Sequence, residues 1–131
     1  MNNTPRTLTL LPESFAICRL AADSPIPAWA MPGKASFLAI TLTHEELSII
    51  CPEHLVPADT DIPAFTGWRC LKLEGPIALD EPGVLAALVV PMAAVGISVF
   101  AEATYDTDYL LVNQIEKAIQ SLEEMGHRVV Q

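Results

Sequence analysis

Five of the six glycines in this 131-residue chain fall at or after residue 67, while eight of the eleven prolines fall before residue 64. This uneven punctuation limits the fold more than any other feature. It leaves a C-terminal half cut cleanly into short periodic runs, and an N-terminal half in which long helices are interrupted. In the C-terminal half, Gly67 precedes residues 68–74, which alternate large apolar with polar side chains until Gly75-Pro76 ends the run. That is a strand. Asp80, Glu81 and Pro82 stand before Gly83 and a run of helix formers to Val95, an acid-then-proline helix start. Leu85, Leu88, Val89, Met92 and Val95 recur at helical spacing, Gly96 supplies the stop, and Pro91 removes one backbone hydrogen bond within the helix.

After Gly96, residues 97–103 read as a strand, residues 105–108 as a turn and residues 109–112 as the second arm of a hairpin. Asn113 and Glu116 have capping-box spacing, with Asn113 as the cap of a second helix. Its apolar stripe is Ile115, Ala118, Ile119, Leu122 and Met125. Gly126 ends that helix and residues 127–130 form a last strand. The order strand, helix, strand, strand, helix, strand, with right-handed crossovers, gives a ferredoxin-like βαββαβ sheet with both helices on one face. So apolar a unit needs its other face covered, by a second sheet or a second chain.

The N-terminal half reads as a degenerate copy of the same pattern. Residues 15–20 are similar to 68–73, and residues 36–51 are similar to 97–112 at a constant offset. Where the second copy has its first helix, the first has residues 25–32, a prolyl segment expected to be an extended loop anchored by Trp29. Residues 58–66, also prolyl and acidic, read as a surface connector. The expected architecture is therefore α+β, a degenerate unit over residues 1–64 and a complete unit over residues 65–131, packed as a tandem pair.

Composition narrows the function. A hydrophobic share of 51% and a mean hydropathy of +0.37 exclude disorder. A formal net charge of −9 opposes nucleic acid and anionic membrane surfaces as partners. Residues 82–101 carry no charge, but Pro91 and Gly96 interrupt them, so they read as helix, turn and strand rather than a membrane span. Cys18, Cys51 and Cys70 lie far apart among apolar neighbours and are expected as buried, reduced thiols of a cytoplasmic protein. The start of the chain lacks the basic and apolar regions of a signal peptide. His44, His54 and His127 lie in separate segments without metal-ligand spacing, and His44-Glu45-Glu46 reads as a solvated corner. No nucleophile elbow, P-loop or dinucleotide fingerprint is present, and Cys51 lies beside a glutamate rather than a cation. The expectation is no enzyme, no catalytic residue, no metal and no cofactor.

Four segments carry a resemblance to a known family: Ile-Pro-Ala-Trp29; Thr-His-Glu-Glu-Leu-Ser-Ile-Ile-Cys-Pro52; Gly-Trp68; and Ala-Thr-Tyr-Asp-Thr-Asp-Tyr109-Leu-Leu-Val. Together they resemble bacterial ACT-domain proteins of the CASTOR-like group, whose eukaryotic relatives sense arginine and whose modules regulate aspartate kinases. The resemblance implies a tandem pair of ACT units and a free amino acid as ligand, held at a joint between two units. It places the ligand at the loop of residues 78–83 and the facing hairpin. Glu81 is similar to an acid facing the ligand's cationic end, Gly83 and Val84 to the helix start, and Thr104, Tyr105 and Asp108 to the hairpin beside it. Ser98 and Val99 are similar to a contact pair supplied by the neighbouring unit. Pro82 departs from the pattern and alters the donors of the loop. Each residue also has an ordinary role open to it. Glu81 favours a helix N-terminus, Asp106 and Asp108 suit a turn, Ser98 starts a strand, and Thr104 packs or bonds at a strand end. The functional expectation is a regulatory module binding an amino acid, dimeric, signalling to an unidentified enzyme. The alternative is a ligand-free homo-oligomeric assembly subunit.

Overall fold

The computed structural model describes residues 2–31, 33, 35–78 and 80–131. Pro32, the end of the expected prolyl loop, and Leu79, inside the expected ligand loop, lie outside the described residues. By its contacts the chain forms two compact units, residues 1–12 with 69–131 and residues 13–68. The first twelve residues therefore associate with the C-terminal half, a difference from a division at residue 64. Both ends of each unit lie on two long strands, β1 (Thr7–Leu20) and β4 (Ala64–Leu73), which pass from one unit into the other.

The larger unit contains α1 (Val84–Ala94), β5 (Val99–Ala103), β6 (Asp108–Val112), α2 (Ile115–Glu124) and β7 (Arg128–Val130). With β4 in front, this is the strand-helix-strand-strand-helix-strand order expected of a ferredoxin-like unit. β5 and β6 form the hairpin, with Val99 opposite Val112 and Ala103 opposite Asp108. β6 pairs antiparallel with β4, Arg69 opposite Val112. The first half of β1 is an addition to this plan. It runs parallel to β7, with Leu8 opposite Val129. On its other side the Glu74 N–H donates to the Thr7 carbonyl at 2.8 Å. An extra strand thus stands between β7 and β4, whose side chains Leu8 and Leu10 are 0% and 9% exposed.

The core of this unit is aliphatic. Leu8, Leu71, Leu73, Leu110 and Val112 from the strands meet Val84, Leu88 and Met92 of α1 and Ala118 and Leu122 of α2. α1 starts at Val84, with Gly83 as its N-cap in the left-handed region at φ 80°. Pro82 therefore stands outside the helix instead of in its first turn, and Pro91 is accommodated within it. Gly96 ends α1 as expected: at φ 85°, it lets Ile97 N–H reach back to the Met92 carbonyl at 3.1 Å. α2 departs from the capping-box expectation. Its N-cap is Gln114, with no side-chain cap. The Asn113 side chain is engaged elsewhere, its Oδ1 accepting from the Ser98 N–H at 3.1 Å.

Among the described residues the smaller unit has no α-helix, and it takes in the first residues of β4, Ala64 to Trp68, besides the strand segments that follow. The second half of β1 pairs with β3 (Leu47–Pro52), Phe15 opposite Pro52 and Leu20 opposite Leu47. β2 (Ala39–Leu42) pairs with the outer side of β3. Among its described residues the prolyl segment between β1 and β2 has no regular element, and half-buried Trp29 packs against the core of Ala16, Cys18, Ala30, Leu47, Ile49 and Cys51. A 3-10 turn (Glu53–Leu55) follows β3. No described helix is long and apolar enough to cross a membrane.

Candidate functional site

The loop between β4 and α1 is tied down at both ends. At its start, Gly75 sits where a Cβ would come within 2.9 Å of the Ile77 nitrogen and 3.1 Å of the Asp106 carbonyl oxygen. Ile77 N–H donates to that Asp106 carbonyl at 2.9 Å, which locks the loop to the tip of the β5–β6 hairpin. At its end, Glu81 N–H closes a turn onto the Ala78 carbonyl at 3.0 Å, and Gly83 swings the chain into α1. The hairpin tip is self-braced. Thr104 N–H and Thr104 Oγ1 both donate to the Thr107 carbonyl at 2.8 Å, and the buried Thr107 hydroxyl donates to the Leu73 carbonyl.

Between these two braced segments lies a groove of about 520 Å³, within the range of small-molecule sites. Glu81, Gly83, Val84, Thr104 and Asp108 all line it, together with Ile77, Ala78, Leu85, Ala86, Ala103 and Thr107. Five of the eight residues expected at the ligand site therefore converge. Tyr105 does not join them: it is 84% exposed at the hairpin tip. Ser98 and Val99 do not either. Ser98 is held by Asn113, and Val99 begins β5 opposite Val112. Ala78 belongs to the expected ligand loop, whereas Ile77 and Thr107 lie outside the expectation, since nothing in their residue type marks them apart from ordinary loop and turn positions.

The groove offers three kinds of chemistry. The first-turn N–H groups of α1 precede any intrahelical partner, and no side chain caps them. They form the positive end of the helix dipole, suited to a carboxylate. Asp108 is half-buried and takes part in no ion pair among the described residues, which suits it to an ammonium. Ile77, Leu85 and Ala103 add apolar surface. Glu81 is already occupied. Asn2 Nδ2 donates to its Oε2 at 2.7 Å, and the Arg6 guanidinium pairs with the same oxygen. These hydrogen bonds, Asn2's and then Arg6's, hold the Glu81 carboxyl below its usual range. The expected role of Glu81 as a free acid awaiting a cation therefore meets an acid whose cation is supplied from within the chain.

The groups considered for other chemistry are placed as follows. Cys18, Cys51 and Cys70 are buried. The Cys51 thiol is pushed up by its hydrogen bond with Cys18 and by burial, which keeps it protonated and unreactive. His44, Glu45 and Glu46 lie in an exposed turn or at its edge. Among the described residues no group of three or more His, Cys, Asp or Glu side chains could hold a metal ion.

Known proteins share this fold. An ACT domain family model matches residues 65–124, and a separate N-terminal domain model matches residues 13–59. The cytosolic arginine sensor for mTORC1 subunit 1 of Mus musculus is 29% identical over 83% of this chain and 38% of the sensor. That of Bos taurus is 32% identical over 74% of this chain and 31% of the sensor. The chain thus spans about a third of the length of these curated relatives. A crystal structure of an Agrobacterium tumefaciens protein superposes at a TM-score of 0.88 with 39% identity, over 97% of this chain and 93% of that one. The regulatory subunit of aspartate kinase from Thermus flavus shares the fold, at a TM-score of 0.57 and 13% identity over 94% and 97% of the two chains. With a ferredoxin-like unit over the residues that the family model matches, the chain carries an ACT domain at residues 65–124.

Proposed function

We propose that the chain is a non-catalytic regulatory ACT module that binds a free amino acid in the groove between the α1 loop and the β5–β6 hairpin. The observation that carries this reading is the convergence of Gly83, Val84, Thr104 and Asp108 on one groove, with Glu81 at its rim. An amino acid is a carboxylate and an ammonium a fixed distance apart, and the groove is lined both by the start of α1, whose first turn has no side-chain cap, and by Asp108, which takes part in no ion pair among the described residues. The names of the relatives, an arginine sensor and an aspartate kinase regulatory subunit, support an amino acid as the ligand class and regulation as the role. Ser98 and Val99 enter the reading as contacts supplied by a second copy, which closes the groove at an ACT–ACT joint. Exposed Val90 and Val95 on the wholly apolar α1 support an association between copies. Buried cysteines suit a cytoplasmic setting.

The test is ligand-induced stabilisation. An amino acid at about 100 times its Kd stabilises the folded state by about 2.7 kcal/mol, which raises Tm by roughly 10 °C for a chain of this size. A thermal scan across the standard amino acids at millimolar concentration is expected to show such a shift for at least one of them. A flat response to all of them would replace this reading with that of a ligand-free assembly subunit. Sedimentation at micromolar concentration tests the dimer separately.

A further inference from the structure

The N-terminal segment places a cation at the rim of the groove. Its delivery is fixed by backbone: Arg6 N–H donates to His127 Nδ1 at 3.0 Å, and the Arg6 carbonyl accepts from Arg128 N–H at 2.9 Å. The Arg6 side chain is only 12% exposed, and its guanidinium pairs with Glu81. Asn2 closes over the same loop, lying where a Cβ on Gly83 would meet its own Cβ at 3.4 Å. The two acids lining the groove are thus unequal. Glu81 carries a guanidinium of its own chain, and Asp108 carries none.

We propose that Arg6 is a specificity-determining residue. It fills from within the place that a cationic side chain would take on Glu81, and so turns the groove toward amino acids with uncharged side chains and against arginine and lysine. This rests on the reading of the groove as an amino-acid site. An incoming guanidinium or ammonium must either displace Arg6 or share Glu81 with it. Displacement leaves a largely buried guanidinium without its counter-ion, and sharing sets two like charges on one carboxylate. Neither cost falls on an uncharged side chain. The common zwitterionic end is unaffected, because its ammonium is matched by Asp108 and its carboxylate by the α1 amides. Rejection is thus built into the segment leading into β1, not into the loop.

The experiment measures Kd by calorimetry for a panel of uncharged amino acids, including citrulline and norleucine, and for arginine and lysine. Wild-type protein and the variants R6Q and R6M are compared. Both variants keep the backbone bonds to His127 and Arg128. For the wild type, the tightest ligand is expected to be uncharged, with arginine and lysine weaker by about tenfold or more. In R6Q and R6M that gap is expected to close by about tenfold, and the gain to vanish when E81Q is added. Arginine or lysine binding the wild type as tightly as any uncharged ligand overturns the proposal and leaves the amino-acid site standing. So does a gap that R6Q and R6M leave unchanged. No binding of any amino acid by any of the proteins overturns the site itself, and the proposal with it.

Discussion

Gly75 and Glu81 set the loop of the candidate site in different ways, and each gives a measurable consequence. A Cβ at residue 75 would press on two backbone atoms, the Ile77 nitrogen and the Asp106 carbonyl oxygen, which cannot give way as a flexible side chain can. Gly75→Ala is therefore expected to destabilise by about 1–3 kcal/mol, read from the midpoint of urea unfolding. It is also expected to weaken ligand binding, because the same contact ties the loop to the hairpin. Glu81 acts through charge. Hydrogen bonds from Asn2 and Arg6 lower its pKa in the folded state below the ordinary value of 4.5. A carboxyl lowered on folding stabilises through its ionised form, so the contribution is complete above about pH 4.5 and lost as pH falls through the folded value. Between pH 5 and pH 3 the wild type should lose stability more steeply than E81Q. Parallel acid limbs in urea titrations of the two proteins would show that the Arg6–Glu81 pair does nothing for folding.

Among the elements, β7 depends most on a single side chain. It has three residues, and its pairing with β1 is led in by the Arg6 N–H bond to His127 Nδ1. Burial and then the nearby Arg6 charge push the His127 pKa below its usual 6.5. A histidine lowered on folding stabilises as the neutral ring, so its contribution is present above about pH 6.5 and fades as pH falls toward the folded value. Protonated Nδ1 also cannot accept the Arg6 bond. Amide exchange at residues 128–130 should therefore quicken between pH 7 and pH 5 beyond the intrinsic pH effect, and His127→Gln should remove that excess. The elements themselves were largely legible, because period and punctuation are local: α1, α2, the hairpin and the missing first helix of the smaller unit all follow from Gly, Pro and apolar spacing. Where the reading missed, a distant group had taken the residue. Asn113 has the type and spacing of a cap, yet its oxygen is held by Ser98, fifteen positions earlier. Thr7 to Leu11 alternate like a strand, but their partners are Arg128 to Val130 and Glu74, and no local signal announces partners so remote. The site divided in the same way. The loop and hairpin positions could be carried over from a family pattern, whereas the guanidinium on Glu81 arrives from 75 residues away.

For the whole chain, the first twelve residues bind together what a linear cut would separate. They belong by contact to the unit formed by residues 69–131, although an N-terminal half stands between them in sequence. An ACT unit excised at residue 65 would retain every element of the ferredoxin-like order and still lack the strand between β7 and β4. Leu8 and Leu10, 0% and 9% exposed, would leave the core that Leu71, Leu73 and Leu122 share. Each loss alone costs about 2–5 kcal/mol as a truncation to alanine, against a total stability of about 5–15 kcal/mol for a domain. The unpaired edges of β7 and β4 would add to it. The fragment of residues 65–131 is therefore expected to give a broad, non-cooperative thermal transition and poorly dispersed amide resonances. A synthetic peptide of residues 2–12, added in excess, should restore dispersion and a sharp melt, and the same peptide with Leu8→Ala and Leu10→Ala should not. A fragment that melts sharply without the peptide would show that the added strand is an ornament of the fold, and that Arg6 could be removed with it at little cost.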